Sequence, residues 1–220
     1  MEQSAAFITI IGRPNVGKSS LLNKIVGHKV AIVSDKPQTT RVKIMGVVTK
    51  GTTQFVFIDT PGFHKPKNLL GNSMIKAVND GMSDVDCAVL VIDACPDFKL
   101  DLEHLPPAES ALIENVKARG LKCILAINKI DLLKQKDDLF EIITAYTKLY
   151  DFDAVIPLSA KKGDGIDILF KELNRFAKPS PHYFPDDEFT DQPEKAIVGE
   201  MIREKMLRFL SKEVPHGIAV

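Results

Sequence analysis

Apolar, β-branched runs recur along the chain at Phe7–Ile11, Ile44–Thr49, Phe55–Ile58, Cys87–Ile92, Lys122–Ile127 and Ala154–Leu158. Most are apolar at every position rather than at alternate ones, which is how strands buried on both faces of a parallel sheet read. Between them, helical spacing predicts helices over 17–26, 72–83, 107–119, 137–150 and 165–177. Strands alternating with helices indicate an α/β fold, here a mostly parallel six-stranded sheet flanked by helices, which binds ligands at the carboxyl ends of its strands. The stretch 28–43 has no clear period and contains Pro37, so it is expected to be a long loop, and loops of that length are usually functional.

The pattern changes after residue 177. Residues 178–193 are rich in proline and acids, as an extended linker is. A helix is then expected over 194–212, with Val198, Ile202, Met206, Phe209 and Leu210 on one face, followed by a strand start at Val214–Val220. One helix and part of a strand do not bury a core alone. The expected organisation is a domain over 1–177, a linker over 178–193, and the first fragment of a second domain, cut short, over 194–220.

Composition narrows the class. The 220 residues are 45% hydrophobic and carry 29 basic and 29 acidic side chains, for a net charge of zero. A global basic field for nucleic acid is therefore missing, and no partnership with DNA is expected. No apolar run reaches the roughly 18–20 residues that span a bilayer. The N-terminus lacks the basic start of a signal peptide. Cys87, Cys95 and Cys123 form no Cys-x-x-Cys pair, which argues against zinc and disulfides and suits a reducing cytoplasm.

Chemistry enters at Gly12-Arg13-Pro14-Asn15-Val16-Gly17-Lys18-Ser19, followed by Ser20. It follows a strand and opens a helix, the context that the G-x-x-x-x-G-K-[ST] phosphate loop requires. The glycines let successive N–H groups point at phosphate oxygens, and the helix adds its positive N-terminal dipole. Lys18 is expected to reach the β- and γ-phosphates and the Ser19 hydroxyl to ligate Mg²⁺. A random chain of this length matches the pattern roughly 1% of the time, so the match is specific.

Asn128-Lys129-Ile130-Asp131 ends the fifth strand-like run. The Asp131 carboxylate can accept two hydrogen bonds from the N1–H and amine of guanine, which adenine cannot supply. Asn128 would bind the base edge or tie the loops together. Ser159-Ala160-Lys161 would complete the pocket with a backbone N–H to the guanine carbonyl. Asp59-Thr60-Pro61-Gly62 ends the third run; Asp59 would hold Mg²⁺ through water and the Gly62 N–H would sense the γ-phosphate. In the long loop, Gln38-Thr39-Thr40-Arg41 offers hydroxyls for Mg²⁺ and the γ-phosphate, Thr40 being the stronger candidate. Release of these contacts on hydrolysis would make a conformational switch.

The four ordered elements, from residue 12 to 161, make the chain similar to small P-loop GTPases that bind GTP and GDP. Within that class, Gly-Arg-Pro-Asn-Val-Gly-Lys-Ser, Gln-Thr-Thr-Arg, Asp-Thr-Pro-Gly-Phe and the domain order resemble the Era family of bacterial ribosome-assembly GTPases. That resemblance implies a KH-type RNA-binding domain beginning at 194–220 and a partner in the small ribosomal subunit and its rRNA. It also implies peripheral contact with the inner membrane, which no basic amphipathic helix here supports.

The chain departs from the common GTPase pattern at Phe63, where many GTPases carry a water-orienting glutamine, so slow intrinsic hydrolysis is expected. Relatives with the Asn15 equivalent can use it to hold a monovalent cation, K⁺ being the candidate, where an arginine finger would sit; its plainer role is a left-handed turn residue. Arg13 and Arg41 are candidates for neutralising phosphate charge or are solvated surface residues. Lys18, Thr40, Gly62 and Asn15 are thus the candidate catalytic residues.

Two other readings compete with the assembly switch: a scaffold in which GTP binding matters more than turnover, and a tRNA-modifying GTPase, whose Cys-containing C-terminal motif nothing here matches. Residues 177–220 hold six basic and eight acidic side chains and lack the KH Gly-x-x-Gly loop, so this stretch by itself is expected to bind RNA weakly or not at all.

Overall fold

The computed structural model describes residues 2–33, 44–59, 82, 84–95, 105–135 and 137–209. Seven strands form one sheet: β1 (Ser4–Ile11), β2 (Ile44–Lys50), β3 (Thr53–Asp59), β4 (Cys87–Asp93), β5 (Cys123–Asn128), β6 (Ala154–Pro157) and the two-residue β7 (Lys178–Pro179). Their order is β2-β3-β1-β4-β5-β6, with β7 beside β1. All main pairings are parallel except the β2–β3 hairpin. The helices are α1 (Lys18–Val26), α2 (Pro107–Arg119), α3 (Asp137–Thr147), α4 (Ile166–Leu173) and α5 (Glu194–Phe209).

The expected α/β architecture is present. The uninterrupted apolar runs divide by pleat between two cores. Ile8, Ile10, Val89, Val91, Ile124 and Ala126 face one cluster with α1 and α4. Ile11, Leu90, Ile92, Leu125 and Ile127 face the other with α2 and α3. In the first cluster the ring of Phe170 meets those of Phe55 and Phe57 edge-on, so these phenylalanines are packing residues. Cys87 and Cys123 lie wholly inside, and burial pushes the Cys87 thiol up to about 12.

The sheet has seven strands where six were expected, β7 being the addition, and several element boundaries differ from expectation. β1 begins at Ser4 rather than Phe7, because Ser4–Ala6 pair with Thr53–Phe55 of β3. Residues 178–193 are not a free linker in this structure. β7 pairs antiparallel with the start of β1, and Lys178 pairs with Asp86 at 2.6 Å. The fully buried Gln54 side chain accepts from the Tyr183 and Phe184 N–H groups at 2.8 and 3.0 Å and donates to the Phe184 carbonyl at 2.9 Å. Farther on, Val47 N–H donates to the Phe189 carbonyl and the Thr190 hydroxyl donates to the Met45 carbonyl. The segment is a strap that crosses the amino ends of β1 and β3 to reach edge strand β2. The expected helix over 72–83, apart from Met82, and the strand start at 214–220 lie outside the described residues.

Candidate nucleotide site

The order β3-β1-β4 places a topological switch at β1, because the chain leaves β1 for one neighbour through α1 and 44–59 and reaches the other later. Ligands of open α/β sheets bind at that crevice. The loop Gly12–Gly17 fills it. Gly12 adopts φ +154° and Gly17 φ +97°. A Cβ on Gly12 would lie 2.4 Å from the Val91 carbonyl oxygen, and one on Gly17 would lie 2.3 Å from Asn128 Nδ2. The loop therefore sits against β4 and β5 as closely as bare backbone allows. Asn15 is exposed at φ +64°, the left-handed turn geometry that Asn tolerates.

Lys18 opens α1 and is buried. Its ammonium donates to the Gly12 carbonyl at 3.1 Å and the Arg13 carbonyl at 3.0 Å. Burial pushes its pKa down to about 8, with Asp59 pulling it up and Arg13 adding to the depression. The neighbouring Ser19 hydroxyl donates to Asp59 Oδ2 at 2.8 Å, and Asp59 is fully buried at the end of β3.

Asn128 ends β5 and joins two of the motifs. Its Nδ2 donates to the Val16 carbonyl at 2.9 Å, and its Oδ1 accepts from the Ala160 N–H at 3.0 Å. Of the two roles open to it from sequence, tying the loops together is the one the geometry displays. Lys129, at φ +67°, reaches back to Asp93 at the end of β4, Nζ to Oδ2 2.5 Å. Asp131 Oδ1 accepts from the Ser159 hydroxyl at 2.6 Å. That hydrogen bond holds the Asp131 carboxyl below the usual range against the opposing effect of burial, and Lys162 and Lys161 help. Ser159 is buried, with its N–H donating to the Asp164 carbonyl.

The structure thus brings Gly12–Ser20, Asp59, Asn128–Asp131 and Ser159–Lys161 to one end of the sheet. Thr40, Thr60, Pro61 and Gly62, with Gln38, Thr39, Arg41 and Phe63, lie outside the described residues. The Arg13 side chain is partly exposed and its Nε turns toward α2. Its Nε donates to the buried Glu109 Oε1 at 2.8 Å, because the loop turns that side chain toward α2. Sequence reasoning missed Glu109 and Asp93, and neither carries a motif that marks it. Among the described residues no cluster of His, Cys, Asp and Glu is arranged to hold a metal through side chains of that set alone, and no helix is long and apolar enough to cross a membrane.

The sequence model of the 50S ribosome-binding GTPase family matches residues 7–129. GTPase Era of Clostridioides difficile (strain 630) is 46% identical over 216 residues, which cover 98% of this chain and 70% of that protein. GTPase Era of Ruminiclostridium cellulolyticum is 46% identical over 221 residues, 100% of this chain and 71% of that protein. The chain belongs to the Era family of GTPases. Among solved structures, Era in complex with MgGDPNP and nucleotides 1506–1542 of 16S ribosomal RNA superposes with a TM-score of 0.88 at 32% identity, covering 97% of this chain and 70% of that one. A variant of Aquifex aeolicus Era bound to GDP·AlF4⁻ gives a TM-score of 0.87, with the same identity and coverage. Era-family membership makes the chain a GTPase that binds guanine nucleotides.

Proposed function

We propose that this Era-family GTPase is a switch in small ribosomal subunit assembly, coupling GTP hydrolysis to binding of 16S-type rRNA by a KH-type domain that begins at Glu194. The observation that supports the nucleotide roles is the bridge through Asn128, which holds the phosphate loop and the Ser159–Lys161 loop in one frame. The rRNA role rests on the family and on the solved Era complex with a 16S rRNA fragment.

In this reading Gly12, Pro14, Asn15, Val16, Gly17 and Ser20 form the cradle. Two of the three N–H donors of Lys18 go to loop carbonyls, which leaves one for a β- or γ-phosphate oxygen. A polyphosphate is the counter-charge that a buried ammonium favours. Ser19 and Asp59 suit Mg²⁺: a hydroxyl and a buried carboxylate, both hard oxygen donors, already lie 2.8 Å apart. Bound there with Thr40, the ion supplies charge neutralisation to the β- and γ-phosphates. The Gly62 N–H would sense the γ-phosphate, with Thr60 and Pro61 of the same motif beside the nucleotide. Asp131, kept ionised by Ser159, reads the guanine N1–H and amine. The Ala160 N–H is engaged by Asn128, so the Lys161 N–H is the amide of that tripeptide left for the guanine carbonyl. Asn15 would hold K⁺, which would supply positive charge toward the phosphates.

The test has two arms. Asp131→Asn exchanges an acceptor for an amide that can donate to the xanthine carbonyl. It should lower GTP affinity by about 10³-fold or more while xanthosine triphosphate gains, as judged by competition binding. Unchanged GTP affinity would remove Asp131 from the base site. Hydrolysis by the 220-residue chain should rise in potassium over sodium, and equal rates in the two salts remove the Asn15 role. Small ribosomal subunits should change hydrolysis by a chain of the length of the Era relatives, and indifference there removes the assembly switch.

A further inference from the structure

Four groups form a chain from the body of the domain to the phosphate-binding ammonium. Tyr146 on α3 is fully buried, and its hydroxyl donates to Glu109 Oε2. Glu109, in the first turn of α2 and 1% exposed, accepts from Arg13 Nε on its other oxygen at 2.8 Å. The Arg13 carbonyl in turn accepts from Lys18 Nζ at 3.0 Å. Because Pro14 follows, the Arg13 backbone is restricted to extended geometry. Anchoring the Arg13 guanidinium therefore orients its peptide plane, and with it one of the two carbonyls that aim Lys18.

We propose that Glu109, backed by Tyr146, is a positioning residue for nucleotide binding, acting through Arg13 to hold the Lys18 ammonium where the β-phosphate binds. A buried ion pair is a weak way to gain stability, because desolvation offsets most of the attraction. A pair that fixes one geometry is better explained by the geometry. Both oxygens of Glu109 face donors, so the carboxylate form fits the site. Burial pushes its pKa up, and the hydrogen bond from Tyr146 and the charge of Arg13 pull it back. The Gly12 carbonyl, the second acceptor of Lys18, lies outside this path, on a residue packed so close to β4 that a Cβ would come within 2.4 Å of the Val91 carbonyl oxygen. Loss of Glu109 should thus loosen Lys18 without abolishing the loop.

This inference rests on the reading of Lys18 as the β,γ-phosphate ligand, and the experiment separates the two. GMP has no β-phosphate and so does not call on Lys18. Affinities of the full chain for GDP and GMP are measured by displacement of a fluorescent guanine nucleotide, with melting temperature followed in parallel. For Glu109→Gln, GDP affinity is expected to fall about tenfold, the scale of one hydrogen bond to a charged group, while GMP affinity changes less than about twofold. Tyr146→Phe removes one oxygen and keeps the charge. It should show the same GDP-selective loss at about threefold, and it serves if the glutamine variant does not fold. Arg13→Gln combined with Glu109→Gln should lose no more GDP affinity than either single change, since both break one path. A purely structural role would lower the melting temperature and leave the GDP-to-GMP ratio unchanged, and that result overturns the proposal. If Lys18→Ala itself binds GDP and GMP with the wild-type ratio, the reading of Lys18 fails instead.

Discussion

Gly17 holds φ +97° and leaves no room for a Cβ, since Asn128 Nδ2 would lie 2.3 Å away. Gly17→Ala must strain the backbone and displace the Asn128 amide from its bond to Val16. The expected result is a loss of roughly 2–3 kcal/mol in urea unfolding together with weakened GDP binding. Wild-type stability and affinity would contradict this packing. Asn128→Ala leaves the Val16 carbonyl and the Ala160 N–H without their partner, and about 2–3 kcal/mol of destabilisation is expected by the same measurement. At this scale the sequence was most legible where chemistry is carried by neighbours in the chain: Gly12–Ser19 and Asn128–Asp131 announce themselves by residue type and spacing. Glu109 does not, since it reaches Arg13 across 96 positions and reads from the sequence as an ordinary acid in the first turn of a helix.

At the scale of elements, the strap 178–193 differs most from its sequence reading. Proline and acidic residues predict an extended chain, and it is extended, but it is bound. The signal for binding lies in the partner: Gln54 is a polar residue inside a buried strand, and its amide is satisfied by the strap and by the Thr49 hydroxyl. Gln54→Ala should release the strap and make residues near 180–190 open to limited proteolysis, at a stability loss of roughly 2 kcal/mol. His182 adds a pH dependence. Its Nδ1 faces Asp186 Oδ1 at 2.6 Å and its Nε2 faces the Thr52 carbonyl at 3.0 Å. Both partners are acceptors, so the imidazolium form fits, and the bond to Thr52 followed by that to Asp186 raises the pKa. A folded-state pKa above the unfolded value of about 6.5 means that the contribution is full below that pH and lost as pH rises through the folded value. The difference in melting temperature between wild type and His182→Gln should therefore shrink from roughly pH 5.5 to 8.5, and a constant difference would exclude the protonated contact.

Over the whole molecule, the C-terminal helix is connected to the nucleotide domain by more than the strap. Lys29 pairs with the buried Glu204 of α5, while the adjacent His28 ring stacks on Phe189 of the strap at 4.4 Å. His28 and Lys29 directly follow the C-cap of α1, and Asn23 of α1 binds the backbone of Val30 and Ala31 beyond them. The opposite face of α5 shows Val198, Ile202, Met206 and Phe209 to solvent, the apolar stripe expected from the sequence. With eight acidic against six basic side chains in 177–220, the 220-residue chain should bind an rRNA 3′ fragment weakly and with little salt dependence in filter binding. Tight, sequence-specific binding would refute that expectation.

By itself the sequence determined the alternation of strands and helices and the chemistry of the phosphate and guanine loops, because both depend on residue types only a few positions apart. The tertiary structure alone decided which distant groups meet: Asn128 with Val16, Arg13 with Glu109, Gln54 with the strap. Those meetings follow from the strand order β2-β3-β1-β4-β5-β6 and from which face each helix covers. Burial then makes each contact consequential, since a polar group removed from water must find its partner within the protein.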